Sequence, residues 1–303
     1  MNNTLAKKGA WLYNKKQIPT GNRKCACRGV RMREELRRWT RCFFWGVCLT
    51  PFLLLAMTVP WLRATSLGDV EQEPKVRVLN YHKVDDMNIS LSIRPQDFAQ
   101  QMAWLAARGF HTITATELAD ALSGKTSLPD NPVLLTFDDG YEDNYKNAFP
   151  ILKQYGFKAT LFAIAGFVSQ RKGYLTWDAL KDMQAHGIDI ESHTMTHRSL
   201  TGLSDEGLHE EIFASKQLLE SQLGREVHFF AYPTGTYNLH IASLVQGAGY
   251  RGAFTVKYAN VDPQSNAYAL ERIPVFHTED TEASFQQRMR YLPVFASTGW
   301  IKN

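Results

Sequence analysis

From about residue 75 onward, short apolar runs alternate with longer segments that have the polar and apolar spacing of helices. Apolar runs between turn residues predict buried strands, and apolar positions at i, i+3, i+4 and i+7 predict amphipathic helices. The predicted strands are Val76–Tyr81, Val133–Phe137, Thr160–Ile164, Ile188–Ser192, Val227–Tyr232, Ala253–Val256 and Leu270–Val275. The predicted helices are Gln96–Ala107, Glu117–Leu122, Asn144–Gln154, Trp177–Ala185, Glu206–Leu223 and His240–Gln246. This alternation is typical of a parallel α/β fold.

The residues at the predicted helix ends support this pattern. Thr114 and Glu117 have the spacing of a capping box. A glycine, which closes a helix readily because it adopts a positive φ, follows five of the predicted helices: Gly109, Gly156, Gly187, Gly224 and Gly249. With about seven strand and helix units and no break in composition, the sequence predicts one closed or nearly closed (β/α)7–8 barrel at residues 76–295, followed by a short tail at 296–303. In such folds the chemistry lies at the carboxyl ends of the strands.

The amino-terminal part of the chain differs from the rest in charge and hydropathy. Residues 1–41 contain twelve Lys and Arg and two acidic residues, a net charge of +10, whereas the remainder carries −6. Residues 42–62 contain no charged side chain and are long enough to cross a bilayer as a helix. Basic residues before the span predict a single-pass signal anchor in the cell membrane, with a cytoplasmic tail at 1–41, a linker at 63–75 and an extracytoplasmic domain, in the periplasm or on the outer face. A cleaved signal peptide is the alternative.

The basic tail and the cysteines limit the choice of partners and cross-links. Clustered Lys and Arg can neutralise nucleic-acid phosphates, but beside an apolar span membrane topology explains them, so we predict no nucleic-acid partner. The cysteines all lie in or before the span, at Cys25, Cys27, Cys42 and Cys48. The exported domain is therefore predicted to fold without disulfides.

Two polar motifs follow directly on predicted strands. The sequence TFDDG at residues 136–140 places Asp138 and Asp139 after one strand, and HTMTH at residues 193–197 places His193 and His197 after another. Each motif alone has an ordinary interpretation, since Asp-Asp-Gly is common in turns and a His-x-x-x-His pair is common at surfaces. Together, at the strand ends of one α/β array, they predict a divalent metal site with a base beside it.

The spacing of these residues predicts separate roles for them. Histidines at i and i+4 converge on one ion if the turn after His193 is helical, and a carboxylate from another strand gives a third ligand. Adjacent residues at a strand end point apart, so one aspartate can bind the ion while the other faces a water molecule as a base. The predicted chemistry is metal-assisted hydrolysis.

These motifs resemble those of the polysaccharide deacetylases of the NodB-homology type, carbohydrate esterase family 4, over roughly residues 76–277. TFDDG resembles their first motif, HTMTH their second, and FAYPTG at residues 230–235 a variant of their third. The resemblance implies a distorted (β/α) barrel, one divalent ion on Asp139, His193 and His197, and Asp138 as the general base. Zn²⁺ is the first choice of ion, with Co²⁺ or Ni²⁺ as alternatives. The implied reaction removes N-acetyl groups from a hexosamine polymer and releases acetate.

The third motif departs from the family pattern at two positions. Ala231 stands where many members have an arginine that orients the base, so Asp138 needs another partner, for which Arg272 is the candidate. Thr234 stands where an aromatic residue often follows the proline, and its backbone N–H is a candidate donor to the oxyanion. No clear fourth motif, with its Asp-Trp pair, is found. The predicted substrate-site residues are His82, Tyr232, Pro233, Thr234 and Arg272.

The reaction also needs a general acid, because an amine leaves poorly unless it is protonated. His277, in the sequence VFH at residues 275–277, resembles the family's fifth motif and is the predicted acid. His82 ends the first predicted strand and is predicted to line the same mouth. The Tyr-His pair at residues 81–82 and the Ala-Tyr-Pro form of the third motif resemble the branch that acts on poly-β-1,6-N-acetylglucosamine.

The leading hypothesis is an anchored, extracytoplasmic, metal-dependent N-deacetylase of a cell-surface or exported polysaccharide. Poly-β-1,6-N-acetylglucosamine is the first substrate, with peptidoglycan or chitin-type oligomers second, and machinery for polysaccharide synthesis or export is a candidate partner. The absent arginine and fourth motif leave open a carbohydrate-binding or assembly protein with weak or no catalysis. An O-acetyl esterase on the same metal site is the third hypothesis.

Overall fold

A curled sheet of eight parallel strands forms the centre of the computed structural model, which describes residues 75–275 and 282–297. The ten strands of the described residues are β1 Arg77–Tyr81, β2 Lys83–Val84, β3 Ser92–Ile93, β4 His111–Ile113, β5 Pro132–Phe137, β6 Ala159–Ala163, β7 Ile188–Ser192, β8 Phe229–Ala231, β9 Gly252–Phe254 and β10 Ile273–Pro274. The sheet order is β10, β1, β5, β6, β7, β8 and β9, with β4 beside the start of β5. Strands β2 and β3 pair only with each other.

The sheet curls so far that its two ends approach each other. At one end β10 pairs with β1, with Ile273 opposite Leu79. At the other end Leu270 bridges to Phe254 of β9, and the N–H of Thr255 donates to the carbonyl of Leu270 at 2.9 Å. The segment from Leu270 to β10 therefore connects both ends, which makes the sheet a distorted (β/α) barrel, as expected from the sequence.

Helices follow most strands and cover the outside of the sheet. Their bounds are α1 Pro95–Ala107, α2 Ala115–Leu122, α3 Phe149–Tyr155, α4 Trp177–Ala185, α5 Asp205–His209, α6 Ser215–Leu223, α7 Leu239–Gly247 and α8 Glu282–Ser297. A π-helical turn, Asn144–Ala148, precedes α3, and another, Glu210–Ala214, joins α5 to α6. All the predicted helices are present, and Thr114 and Glu117 form the predicted capping box. The short strands β2, β3 and β4 and helix α8, which contains Pro293, were not predicted.

Alternate strand residues pack into two separate apolar clusters. One cluster joins the outer face of the sheet to the helices and contains Leu79, Leu135 and Leu161. The other fills the inside of the barrel and contains Val78, Leu134 and Phe162. Because side chains alternate along a strand, the residues that continue the inner series of β5 beyond Leu134 are Thr136 and Asp138. The period of the strand therefore directs the Asp138 carboxylate into the barrel.

Several sequence predictions fall outside the described residues. The basic tail at 1–41, the apolar span at 42–62 and all but the last residue of the linker at 63–75 are among them, as are His277 and residues 298–303. Within the described residues, no helix has both the length and the apolar character needed to cross a bilayer. The anchor and the extracytoplasmic location stay predictions from the sequence.

Candidate metal centre and catalytic carboxylate

Asp138 forms a two-pronged ion pair with Arg272 inside the barrel. Arg272 Nη1 donates to Asp138 Oδ1 at 2.7 Å and Nη2 donates to Oδ2 at 2.8 Å. The guanidinium is fully buried, and its Nε donates to the carbonyl of Thr255 at 2.8 Å. Two parallel bonds of this kind fix a carboxylate in plane and in position. Arg272 is therefore the partner of Asp138, as the sequence suggested.

This pairing decides the protonation state of Asp138. Burial alone would raise the pKa of the carboxyl, but the charge and hydrogen bonds of Arg272 hold its pKa well below the ordinary value. Asp138 is consequently a carboxylate throughout the neutral range, and only an ionised carboxylate can accept a proton.

Asp139 and the two histidines of the second motif converge on one point. Asp139 Oδ1 lies 3.5 Å from His193 Nε2 and 3.4 Å from His197 Nε2. The three candidate ligand atoms all lie within 4.8 Å of one another. The structure thus brings together the three residues that the sequence singled out as metal ligands.

The polar atoms of this cluster fit a divalent cation. Asp139 Oδ1 is buried and accepts no hydrogen bond from the described residues, although a buried acceptor is normally satisfied. The carbonyl of Ala231 lies 2.8 Å from His193 Nδ1, and because a carbonyl only accepts, Nδ1 carries the proton and Nε2 keeps a free lone pair. Burial also lowers the pKa of His193, which favours the neutral imidazole that binds metals.

The turn that carries the histidines is not helical, which corrects one condition of the sequence prediction. Thr194 and His197 have φ values of 70° and 63°, in the left-handed region. The N–H of His197 donates to Thr194 Oγ1 at 2.9 Å, which closes the turn. His193 is 2% exposed, whereas His197 is 33% exposed at the rim. The two imidazoles converge through a folded-back loop, with ring centres 4.8 Å apart.

The third motif lies beside this loop, and its side chains divide into buried and exposed ones. Tyr232 is buried, and its hydroxyl donates to the carbonyl of Tyr268 at 3.0 Å. Pro233 is buried as well. The side chains of Tyr232 and Pro233 are therefore packed in the interior, and their contact with substrate stays a prediction. Thr234 is exposed and has a φ of 56°, so it remains the candidate substrate contact of the motif.

His82, which the sequence predicts to line the mouth of the site, lies beside Asp138. Its Nε2 lies 3.9 Å from Asp138 Oδ2, and its side chain is 15% exposed. The carbonyl of His82 accepts from Asn144 Nδ2 at 2.7 Å, so the turn after the first motif holds this segment in place. His277 lies outside the described residues, and its role stays a prediction.

Tyr141, which was not singled out from the sequence, also lies at the centre. Burial and the nearby carboxylate of Asp139 raise the pKa of its phenol, which is therefore protonated. Its ring lies under Lys83 Nζ, 4.3 Å from the centroid, and 5.1 Å from the ring of Tyr174. Tyr141 could have been selected from the sequence because it directly follows Gly140 of the first motif.

Comparisons with known proteins agree with this geometry. The profile of the family described as Polysaccharide deacetylase matches residues 125–253. YxkH of Bacillus subtilis, named as a polysaccharide deacetylase, is 36% identical over 205 residues, which cover 68% of this chain and 73% of that protein. The poly-β-1,6-N-acetyl-D-glucosamine N-deacetylase of Staphylococcus aureus (strain MRSA252) is 25% identical over 264 residues, covering 75% of this chain and 91% of the relative.

A solved structure shares the fold. The deacetylase PplD of Streptococcus pyogenes, solved in complex with acetate, superposes with a TM-score of 0.68 at 28% identity, covering 72% of this chain and all of the other. The chain belongs to the polysaccharide deacetylase family. Within it, the chain is similar both to enzymes named for poly-β-1,6-N-acetylglucosamine and to bacterial deacetylases of other names.

Proposed function

We propose that this protein is a metal-dependent N-deacetylase of an N-acetylglucosamine polysaccharide. The observation that carries the proposal is the arrangement of the two adjacent aspartates. Asp138 is ionised and held by Arg272, while Asp139 points an unsatisfied oxygen at two imidazole nitrogens. One motif thus supplies both a base and a metal ligand, the two parts that metal-assisted hydrolysis of an amide uses.

The proposed ligands of the divalent ion are Asp139, His193 and His197. An ion held there supplies Lewis acidity, which lowers the pKa of water and polarises a carbonyl. Two nitrogens and a carboxylate oxygen suit Zn²⁺, and Co²⁺ or Ni²⁺ accept the same donors.

The residues of the chain move the protons of the reaction. Asp138 accepts a proton from the attacking water, and the backbone N–H of Thr234 stabilises the negative charge that develops on the acetyl oxygen. A histidine then protonates the amine as the C–N bond breaks, leaving acetate and a free amino group. His277 is the acid predicted by resemblance, and His82 is the imidazole that lies beside Asp138.

Arg272 weakens the reason to regard this protein as an inactive binding module. The absence of an arginine at position 231 suggested that Asp138 lacked its partner. Arg272, which directly precedes β10, supplies two hydrogen bonds to that carboxylate. The hypothesis of an active hydrolase is therefore favoured over that of a carbohydrate-binding or assembly protein.

Poly-β-1,6-N-acetylglucosamine is the proposed first substrate, on the strength of the relative named for that polymer and of the Ala-Tyr-Pro third motif. We further propose that the catalytic domain is extracytoplasmic and anchored by residues 42–62, close to machinery that makes or exports the polymer. Protease protection of the domain in intact cells tests this location.

Acetate release by the full-length chain tests the reaction. We expect release from β-1,6-linked N-acetylglucosamine oligomers, less from β-1,4-linked oligomers and less again from an O-acetylated sugar. Chelation should abolish release and added Zn²⁺ or Co²⁺ should restore it. Release that is indifferent to chelation contradicts the mechanism, and a preference for the O-acetyl substrate makes the protein an esterase.

A further inference from the structure

Glu211 is a fully buried carboxylate that touches the loop carrying His197. Its Oε2 accepts from the backbone N–H groups of Met195 at 3.0 Å and Thr196 at 2.8 Å. Its Oε1 accepts from the hydroxyl of Thr196 and from Arg198 Nε, the latter at 2.9 Å. These four donors all belong to residues within two positions of His197 in the sequence.

These bonds hold a loop whose backbone has positive φ angles, a conformation that residues other than glycine rarely adopt. Non-glycine residues with positive φ each cost about 1–3 kcal/mol and persist only where the surroundings impose them. Thr194 and His197 both have this conformation. On the opposite side of the loop, the N–H groups of Ala165 and Gly166 donate to the carbonyls of Thr194 and Met195 at 3.0 and 2.9 Å. Glu211 binds the loop from the other side, where the turn before helix α6 lies.

The element that carries Glu211 is itself unusual. Residues Glu210–Ala214 form a π-helical turn between α5 and α6. Such turns are rare and occur often at functional sites. Burial alone would raise the pKa of Glu211, but the hydrogen bonds from Thr196 and Arg198 bring its pKa below the ordinary value, so the carboxylate is charged.

We propose that Glu211 is a positioning residue of the metal centre: by binding Met195, Thr196 and Arg198 it holds His197 Nε2 at the point where Asp139 and His193 converge. This inference rests on the proposed metal site. His197 is one-third exposed, and its ring contacts the ring of His193. We infer that its position depends on the backbone of the loop.

The fold offers a matched control in Glu191. It is equally buried, and its Oε2 accepts from the N–H groups of His228 and Phe229, each at 2.7 Å. Its Oε1 lies 3.3 Å from Arg225 Nη1. Glu191 therefore resembles Glu211 in burial and in donors, although burial raises the pKa of Glu191 to about 7. Its bonds hold the start of β8 and do not reach residues 194–198.

The experiment measures Co²⁺ binding to the full-length apoprotein. Glu211→Gln keeps the shape of the side chain but turns an NH₂ group towards two of the four donors. We expect the Kd for Co²⁺ to rise about 10–100-fold, the range found for outer partners of metal ligands, and the visible absorption of bound Co²⁺ to change. Glu191→Gln should lower the melting temperature and leave both the Kd and the spectrum unchanged.

A milder pair of variants guards against a Glu211→Gln protein that does not fold. Thr196→Val removes one donor to Glu211, whereas Thr196→Ser keeps it. We expect a smaller rise in Kd for Thr196→Val and recovery for Thr196→Ser.

Three outcomes would overturn the inference. An unchanged Kd and spectrum in both Glu211→Gln and Thr196→Val would show that the loop keeps its conformation without the bonds to Glu211. An equal rise of the Kd in Glu191→Gln would show that general destabilisation is responsible. Wild-type protein that binds no Co²⁺ would remove the metal centre itself, and this inference with it.

Discussion

The two aspartates of the first motif are neighbours in sequence, yet the fold holds their surroundings in different ways. Asp138 points into the barrel, where one buried guanidinium satisfies both of its oxygens. Asp139 faces a rim loop whose backbone is left-handed at two residues and whose His197 is one-third exposed. The proposed base is thus positioned by packing of the barrel interior, and the proposed metal ligands are positioned by a folded-back loop. Variants near Asp138 should therefore affect turnover, whereas variants near Asp139 and the histidine loop should affect metal binding.

Asp138→Asn should produce the largest loss on the side of the base. The amide keeps the shape of the carboxylate but cannot accept a proton, and general-base catalysis contributes about 10²–10⁴-fold. We expect acetate release to fall by that amount, measured as kcat/KM on β-1,6-linked oligomers.

Metal affinity is the control for this variant, because Asp138 is not a proposed ligand. An unchanged Kd for Co²⁺ together with the loss of turnover separates the base from the ligand set. Turnover within tenfold of wild type would remove Asp138 from the role of base.

Arg272→Met should damage folding as well as activity. Removing one partner of a buried ion pair typically costs about 3–5 kcal/mol, because the other charge is left unpaired. Urea unfolding should show a loss of that size, and the double variant with Asp138→Asn should recover part of it. A loss similar to that of an exposed substitution such as Arg94→Met would contradict a buried pair.

Variants of the two histidines should weaken metal binding unequally. His193 is buried and oriented by the carbonyl of Ala231, so His193→Gln should raise the Kd by more than the roughly 100-fold that loss of an outer partner can cause. His197→Gln should cost less, since water can reach its place at the rim. Competition against a chromophoric chelator gives both values, and the reverse order would show that exposure does not govern the strength of the ligands.

Metal addition should stabilise the wild-type fold, because ligands that bind only the folded state shift the equilibrium. At a free concentration of a hundred times Kd the gain is about 2.7 kcal/mol. We expect the melting temperature to rise with Zn²⁺ in the wild type and in Asp138→Asn, and to stay constant in His193→Gln. A rise in all three would place the bound ion elsewhere.

Tyr141→Phe should have the smallest effect. The change removes the phenol beside Asp139 but keeps the ring against Tyr174. A hydrogen bond to a charged group contributes about 1.5–3 kcal/mol, so we expect a loss of activity of about 10–100-fold. A larger loss would give Tyr141 a direct role with the substrate.

The sequence predicted the strands and helices well because apolar periodicity and helix-capping residues are local signals. Asp138, Asp139, His193 and His197 could be selected because they follow predicted strands, and parallel strands end at one edge. Arg272 could be suggested only because the chain lacked an arginine at Ala231. Its contact with Asp138 depends on the curl of the whole sheet.

Other features could not be predicted because they depend on contacts distant in sequence. The left-handed turn at Thr194 and His197 contradicts the helical turn that i, i+4 spacing suggests, and it exists because contacts from both sides impose it. From the sequence, Glu211 resembles an ordinary charged residue of a helix, because the residues next to it in the chain give no sign that it is buried. The hydrogen bond from the Tyr232 hydroxyl to the backbone of Tyr268 could not be predicted either, and the substrate contact of Tyr232 stays a prediction.

The bond between Asp138 and Arg272 also makes the reaction a reporter of barrel closure. The two residues are 134 positions apart, and Arg272 lies in the segment that connects β9 to β10 and β1. Fraying of this last segment would withdraw the guanidinium while the proposed ligands, which follow β5 and β7, stayed in place. A partly opened molecule would therefore still hold metal and have no prepared base, so turnover would be lost before metal on mild denaturation.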